Sequence, residues 1–262
     1  MERSGIRFLL PFALVFPLCI LLSACDPEEI IIPTPPATVT ISGHVLVIGL
    51  TGIVPLADAT VETLDGSYST VTAEDGTWTL EDVPNGSDPV LRVTKERIIL
   101  SYPPAYNSFP LTSLKITRYD LQTMDPLLFY VLISAYIDLG FPAENICLIF
   151  GAAVGFASMD PLVTVPLAGA KVSVAPSELI IPGWPPVPIQ AVYFDETGTP
   201  DPALTETSAA GAFMVVVPDA TAIPSISLSG IRNGQPLTGS PVQPTYPGGF
   251  VPAGLIDPYF VP

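Results

Sequence analysis

The pattern of apolar and polar positions divides the chain into three kinds of segment. Residues 8–22 are almost wholly apolar, and residues 125–140 form a second apolar run that is bounded by helix signals. Most of the remaining chain consists of short alternating stretches separated by proline and glycine. Alternation with a period of two is typical of strands that bury one face, so the pattern predicts a β-rich protein with one helix.

The first apolar run has the layout of a secretory signal. Arg3 and Arg7 precede it, small residues follow it, and it is shorter than the roughly 20 residues that a membrane-spanning helix needs. Its end, Leu22-Ser23-Ala24-Cys25, resembles the lipobox of bacterial lipoproteins. That resemblance implies that Cys25 carries diacylglycerol and a further acyl chain such as palmitate. An ordinary secretory signal with an incidental cysteine is the alternative.

Two later parts of the chain carry the same pattern. The stretch VPLADATVETL at 54–64 matches VPLAGAKVSVA at 165–175, and TAEDGTWTLEDVP at 72–84 matches TSAAGAFMVVVP at 207–218. An apolar stretch precedes each copy. The second copy is longer by about 24 residues, roughly 178–201. The repeat predicts two β units of similar construction, with an insertion in the second that is either a binding loop or an extension of the sheet.

The repeated motif resembles the carboxypeptidase regulatory-like domain, a transthyretin-like β-sandwich. In the first copy the motif comprises Gly43-His44-Val45, Pro55 to Val61, Thr72 to Trp78, and Val83 to Gly86. The second copy departs from it at Asp219-Ala220, where the family has a polar residue followed by glycine. The resemblance implies a non-catalytic role, since such modules are appended to many unrelated proteins.

Together these features predict an all-β fold: two transthyretin-like (prealbumin-like) β-sandwiches with one short intervening α-helix, preceded by a lipoprotein signal peptide. The predicted segments are a signal peptide at 1–24, the lipidated cysteine and a proline-rich tether at 25–37, the first sandwich at 38–108, a linker at 109–144 with the helix at 125–140, the second sandwich at 145–232, and a Pro/Gly-rich tail at 233–262 that lies on the second sandwich as extended chain.

The predicted helix has clear ends and an apolar body. Asp125 is a good N-cap, Pro126 suits the first turn, and Gly140 suits the C-terminal stop. At about 1.5 Å per residue the segment spans roughly 20–24 Å, which is short for a membrane crossing. A helix that is apolar all round favours burial, so we expect it to lie wedged between the sandwiches. A docking helix for a partner or a bilayer surface is the alternative.

Charge and residue counts exclude several classes of function. The net charge is −16, and removal of residues 1–24 makes it −17, which is the wrong sign for nucleic-acid binding. Cys147 would be the one cysteine besides Cys25 in the mature chain, and His44 is the one histidine. These counts predict no disulfide, no histidine-based metal site and no cofactor.

A G-x-S-x-G motif is absent, so we predict that the protein is not an enzyme. A hydrolase that uses Asp195 and Glu196 is a minor alternative.

Loop aromatic residues and a local cluster of basic residues are the remaining candidates for binding. Trp184, Tyr102 and Tyr106 lie in proline-rich stretches, where they either stack on sugar rings or pack within their own loops. Five basic residues fall between 92 and 118, and they either face an acidic partner or lipid head groups or neutralise acidic neighbours.

The predicted function is that of a membrane-anchored lipoprotein of the bacterial cell envelope that acts as a non-catalytic binding or scaffolding module. Its domains would face the periplasm or the cell exterior from the cell membrane or the outer membrane, a choice that the sequence leaves open. The predicted partners are membrane lipid through Cys25, an envelope protein, and carbohydrate in the alternative function.

Overall fold

Short strands dominate the computed structural model, which describes residues 37–50, 52–87, 89–97, 100–108, 118–159, 162–239 and 242–260. The predicted signal peptide, Cys25, the tether up to residue 36, and residues 109–117 of the linker lie outside these ranges. The strands are β1 (Thr38–Gly49), β2 (Gly52–Pro55), β3 (Thr60–Thr63), β4 (Ser69–Val71), β5 (Thr77–Pro84), β6 (Val90–Thr94), β7 (Ala105–Ser108), β8 (Leu121–Met124), β9 (Cys147–Met159), β10 (Leu162–Pro166), β11 (Ala170–Ala175), β12 (Glu178–Leu179), β13 (Val187–Pro188), β14 (Ala191–Phe194), β15 (Pro200–Asp201), β16 (Ala212–Val217), β17 (Ser225–Arg232), β18 (Gln235–Gly239), β19 (Val242–Pro244) and β20 (Phe250–Phe260).

One α-helix, α1 (Pro126–Asp138), and one 3-10 turn (Ala143–Asn145) complete the regular structure of the described residues. The expectation of a mostly β protein with one helix is confirmed. The boundaries of the two sandwiches given above stay predictions.

The first copy of the repeat builds two sheets around one core. In the first sheet β1 pairs antiparallel with β2 and β5 along one edge and parallel with β8 along the other. In the second, β4, β3, β6 and β7 pair antiparallel in that order. Alternate residues of both sheets are buried in the same hydrophobic core, which includes Ile41, Trp78, Val61 and Leu91.

The second copy repeats this plan and adds strands from its insertion. β9 pairs with β16, which continues through β14 to β15, while β10 folds back on the later part of β9. β17 pairs with β11, β18 and β19 in the accompanying layer of strands. The insertion thus contributes both a sheet extension, β14, and a short hairpin-like excursion between β12 and β13.

The C-terminal strand β20 joins the sheets of the two copies. It runs parallel to β9 from Phe250 opposite Leu148, and Phe250 also pairs with Ala105 of β7. The result is one continuous sheet of order β15-β14-β16-β9-β20-β7-β6-β3-β4. Residues 37–262 accordingly form one compact unit. The tail was expected as extended chain on the surface of the second sandwich; instead it supplies an interior strand whose Phe250 and Val251 are buried.

Each copy contains a buried threonine whose hydroxyl makes the same two hydrogen bonds. The Thr72 hydroxyl donates to the Leu56 carbonyl at 2.7 Å and accepts from the Ala59 amide at 2.9 Å. In the second copy the Thr207 hydroxyl donates to the Leu167 carbonyl at 2.6 Å and accepts from the Ala170 amide at 2.9 Å. The motif that is repeated in the sequence thus makes the same local hydrogen bonds in both copies.

A close backbone approach is also repeated. Gly76 and Gly211 have φ of +80° and +67°, and a Cβ on either would lie within about 3 Å of backbone or proline atoms of the preceding strand connection. Only glycine combines this left-handed conformation with such proximity. The turn therefore brings the hairpin against the strand before it in both copies.

Helix α1 begins and ends where the sequence predicts, but it is not fully buried. The Asp125 carboxylate accepts from the amides of Leu127 and Leu128, and Gly140 ends the helix with φ of +96°. Phe129 and Ile133 are buried, whereas the opposite face is exposed. The burial that we expected for a helix wedged between the sandwiches is therefore found on one face only. No helix within the described ranges has the length and apolarity to span a membrane.

We predict that Thr72→Val and Thr207→Val each lower the free energy of unfolding by about 2 kcal/mol, because valine leaves a buried amide and a buried carbonyl without their partner. Equilibrium denaturation measures the change. Thr79→Val, at an exposed position of β5, is the matched control and should cost less than about 0.5 kcal/mol. Equal decreases in the free energy of unfolding for Thr72→Val and Thr79→Val would contradict a structural role for the buried hydroxyl.

Candidate functional surface

The three aromatic residues that are candidates for sugar binding lie in different surroundings. Tyr102 is buried, with the Arg97 guanidinium 4.8 Å from its ring centroid. Tyr106 lies in β7 and stacks on Tyr246, with ring centroids 3.8 Å apart and planes inclined by 9°. Trp184 is 51% exposed on the excursion between β12 and β13. Among the described residues no ring contact joins Trp184 to either tyrosine.

These surroundings limit where a sugar ring can stack. Tyr246 covers one face of Tyr106, and burial removes most of Tyr102 from solvent. Trp184 keeps an open ring beside Phe141, whose centroid is 6.2 Å away. The carbohydrate hypothesis, which stays a prediction, therefore depends on Trp184.

Of the two carboxylates named in the minor hydrolase alternative, Asp195 holds a turn. Asp195 accepts from the amides of Thr197 and Thr199 and from the Thr197 hydroxyl at 2.6 Å. The Thr197 hydroxyl bond is the main reason that the pKa of Asp195 lies below its ordinary value, so this side chain is a poor proton donor at neutral pH. Asp75 is held in the same way by Thr77.

His44 and Cys147 occupy structural positions. His44 Nδ1 lies 3.0 Å from Asp120 Oδ1, and the same oxygen accepts from the His44 amide. Cys147 is buried at the start of β9, and burial raises the pKa of its thiol to about 12. Within the described ranges no three His, Cys, Asp or Glu side chains are grouped as metal ligands.

The basic cluster is divided between internal contacts and exposed cations, which include Arg97 and Arg118, while Lys115 lies outside the described residues. Arg92 Nη2 contacts Glu62 Oε1 at 2.7 Å across β6 and β3, and the Lys95 ammonium donates to the Ala57 carbonyl. Arg97 is exposed and takes part in no salt bridge among the described residues. The expected neutralisation of acidic neighbours thus holds for Arg92, while Arg97 faces solvent.

An exposed apolar surface lies where β1 and β8 end. Leu50 is 69% exposed at the β1–β2 turn, and β2 is exposed along its whole length. Asp125, the N-cap of α1, shares a recess of about 350 Å³ with Leu50 and Val54. The exposed face of α1 follows directly. We call this surface the apolar tip; it comprises Leu50, Ile53, Val54, Leu127, Tyr130 and Val131.

Sequence reasoning passed over the hairpin part of the apolar tip. Residues 45–55, VLVIGLTGIVP, have almost no polar side chains, so a hairpin built from them is apolar on both faces. That departure from alternation is the signal that marks it. For α1, the sequence does show that a polar face is lacking, and the prediction of burial rests on that feature.

Comparisons with known proteins assign no family. No family model matches the chain, and no curated protein matches it. Among solved structures, the shaft pilin SpaA from Lactobacillus rhamnosus GG aligns at 9% identity over 86% of this chain and 100% of the pilin, with a TM-score of 0.22. A mutant of the same pilin aligns at 8% identity over 85% and 100%, with a TM-score of 0.23. Alignments at these TM-scores carry no argument about fold or function.

We predict that Cys147 does not react with iodoacetamide in the native protein at pH 8. Its thiol is buried and its pKa of about 12 keeps it protonated, while alkylation requires the thiolate. Mass spectrometry before and after denaturation measures the reaction, and denaturation should restore full labelling. Labelling of the native protein at the rate of the denatured chain would show that the thiol is accessible.

Proposed function

We propose that this protein is a lipid-anchored component of the bacterial cell envelope, in which a rigid β framework acts as a non-catalytic binding or scaffolding module. The observation that carries the proposal is the Leu22-Ser23-Ala24-Cys25 motif, followed by a proline-rich segment that ends where the β framework begins at Ala37. Two acyl chains suffice for stable anchoring.

The arrangement of reactive groups supports a non-catalytic role. The side chains that chemistry would use are engaged in the fold: Asp195 holds a turn, His44 contacts Asp120 on the surface, and Cys147 is buried. The exposed surface of the framework includes large apolar and aromatic side chains, among them Leu50, Leu127 and Trp184. Such surfaces are suited to association with another surface.

We predict that Cys25→Ala abolishes lipidation and that Cys19→Ala leaves it unchanged, because Cys19 lies within the segment that would be removed. Mass spectrometry of the N-terminal peptide and metabolic labelling with a palmitate analogue measure the modification. A mature wild-type chain that begins at another residue without lipid would overturn the proposed anchor.

The scaffolding part is tested separately by purification of tagged protein from native membranes after mild cross-linking. A stoichiometric envelope partner that is recovered with the wild type and lost with Cys25→Ala supports an assembly role. Recovery of the chain alone from both strains would contradict it.

A second function, carbohydrate binding, is favoured by one observation, the open ring of Trp184. We predict that Trp184→Ala weakens glycan binding about tenfold, because a stacked ring contributes on the order of 1 kcal/mol beyond its buried area. Ile180, 65% exposed in the same excursion, gives the matched control Ile180→Ala, which removes apolar area without removing a ring. A glycan array without signal, or equal effects of the two changes, would remove this function.

A further inference from the structure

The apolar tip is built from two elements that the sheet holds at one end of the first copy. β8 runs parallel to β1 and ends with Met124 opposite Ile48. The Asp125 amide then donates to the Ile48 carbonyl at 2.9 Å, and α1 starts at the next residue. The β1–β2 turn and the start of α1 therefore lie at the same end of the sheet, where Leu50, Val54 and the helix cap Asp125 line one recess.

The exposed aliphatic side chains of the apolar tip favour binding to a fluid apolar surface. Leu50 and Ile53 are 69% and 63% exposed at the end of the β1–β2 hairpin, and Leu127 is 57% exposed on α1. An exposed aliphatic surface with a recess at its border is suited to a partner that deforms around it, as the acyl boundary of a bilayer does. Apolar side chains that enter this boundary to a depth of about 5–10 Å are a common mode of interfacial binding.

Charge at the border of the tip agrees with a lipid surface. Arg97 lines the same recess as Leu50 and Val54, and its guanidinium lies over the ring of Tyr102. An exposed cation beside aliphatic side chains is placed to contact head-group phosphates. The Asp125 carboxylate in this recess is already engaged as the helix cap. Since the chain carries a net charge of −16, attraction has to come from such local features.

The length of chain outside the described residues sets how far the tip can lie from an anchor. Eleven residues separate Cys25 from Ala37, so the chain makes twelve steps between them and a lipid on Cys25 lies within about 40 Å of the first described residue. β1 itself spans about 40 Å. The tip is therefore within reach of the bilayer, and an anchored surface needs little intrinsic affinity because its effective concentration near the membrane is high.

We propose that the apolar tip lies in the interface of the phospholipid bilayer and, with the acyl anchor, holds the β framework at a fixed inclination to the membrane. This inference rests on the proposed lipid anchor. The exposed faces of the second copy, which include Ile231 on β17, then remain in water.

The test uses tryptophan reporters in the full-length lipidated protein reconstituted into vesicles of brominated phosphatidylcholine and phosphatidylglycerol. Bromine quenches tryptophan only at short range. We predict that Leu50→Trp and Leu127→Trp add fluorescence that is quenched about twofold more than that added by the control Ile231→Trp, at a residue of similar exposure (54%). Subtraction of the wild-type signal removes the contributions of Trp78 and Trp184.

Quenching at Leu50 and Leu127 no greater than at Ile231 would overturn the proposal, including the case in which a second copy or a protein partner covers the tip. If Leu50→Trp does not fold, Val131→Trp is the replacement reporter. The mass of the N-terminal peptide tests the anchor independently. If it shows no lipid, the anchor fails, and quenching of the same reporters by added vesicles still decides whether the tip enters the bilayer.

Discussion

The buried threonine of each copy is the interaction on which the rest of the fold depends. The Thr72 hydroxyl donates a hydrogen bond to Leu56 and accepts one from Ala59, and so ties the chain before β5 to the start of β3. The Thr207 hydroxyl does the same in the second copy with Leu167 and Ala170. In a dry interior such a fully satisfied hydroxyl is strongly favoured, and shifting either segment by one residue would leave polar groups unpaired. The junction therefore sets the register of the strands around it.

The two copies are joined by backbone pairing in addition to side-chain packing. β20 lies between β9 of the second copy and β7 of the first, so hydrogen bonds run from one copy to the other through a strand that belongs at the end of the chain. Parallel pairing of β8 with β1 has a similar consequence, because it fixes where α1 starts. These pairings hold the exposed hairpin and the exposed helix face at one edge.

For function, the exposed surfaces of the protein are the features that the fold leaves available for binding. Its histidine, its buried cysteine and the turn-forming aspartates have local partners, whereas the aliphatic tip, Arg97 and Trp184 face solvent. With the proposed lipid anchor, the surfaces that this protein presents would depend on which face lies against the bilayer. The anchor and the tip together would set that orientation.

The sequence by itself determined the features that depend on neighbouring residues: the mostly β composition, the repeated motif with Gly76 and Gly211, and both ends of α1. These depend on local propensities, capping and turns. Tertiary structure alone decided the interior position of β20, since Pro252 argues against an interior strand and only its distant partners reveal the pairing. It likewise decided that one face of α1 is open, because an apolar face shows that burial is favourable without showing whether a partner within the chain is available to cover it.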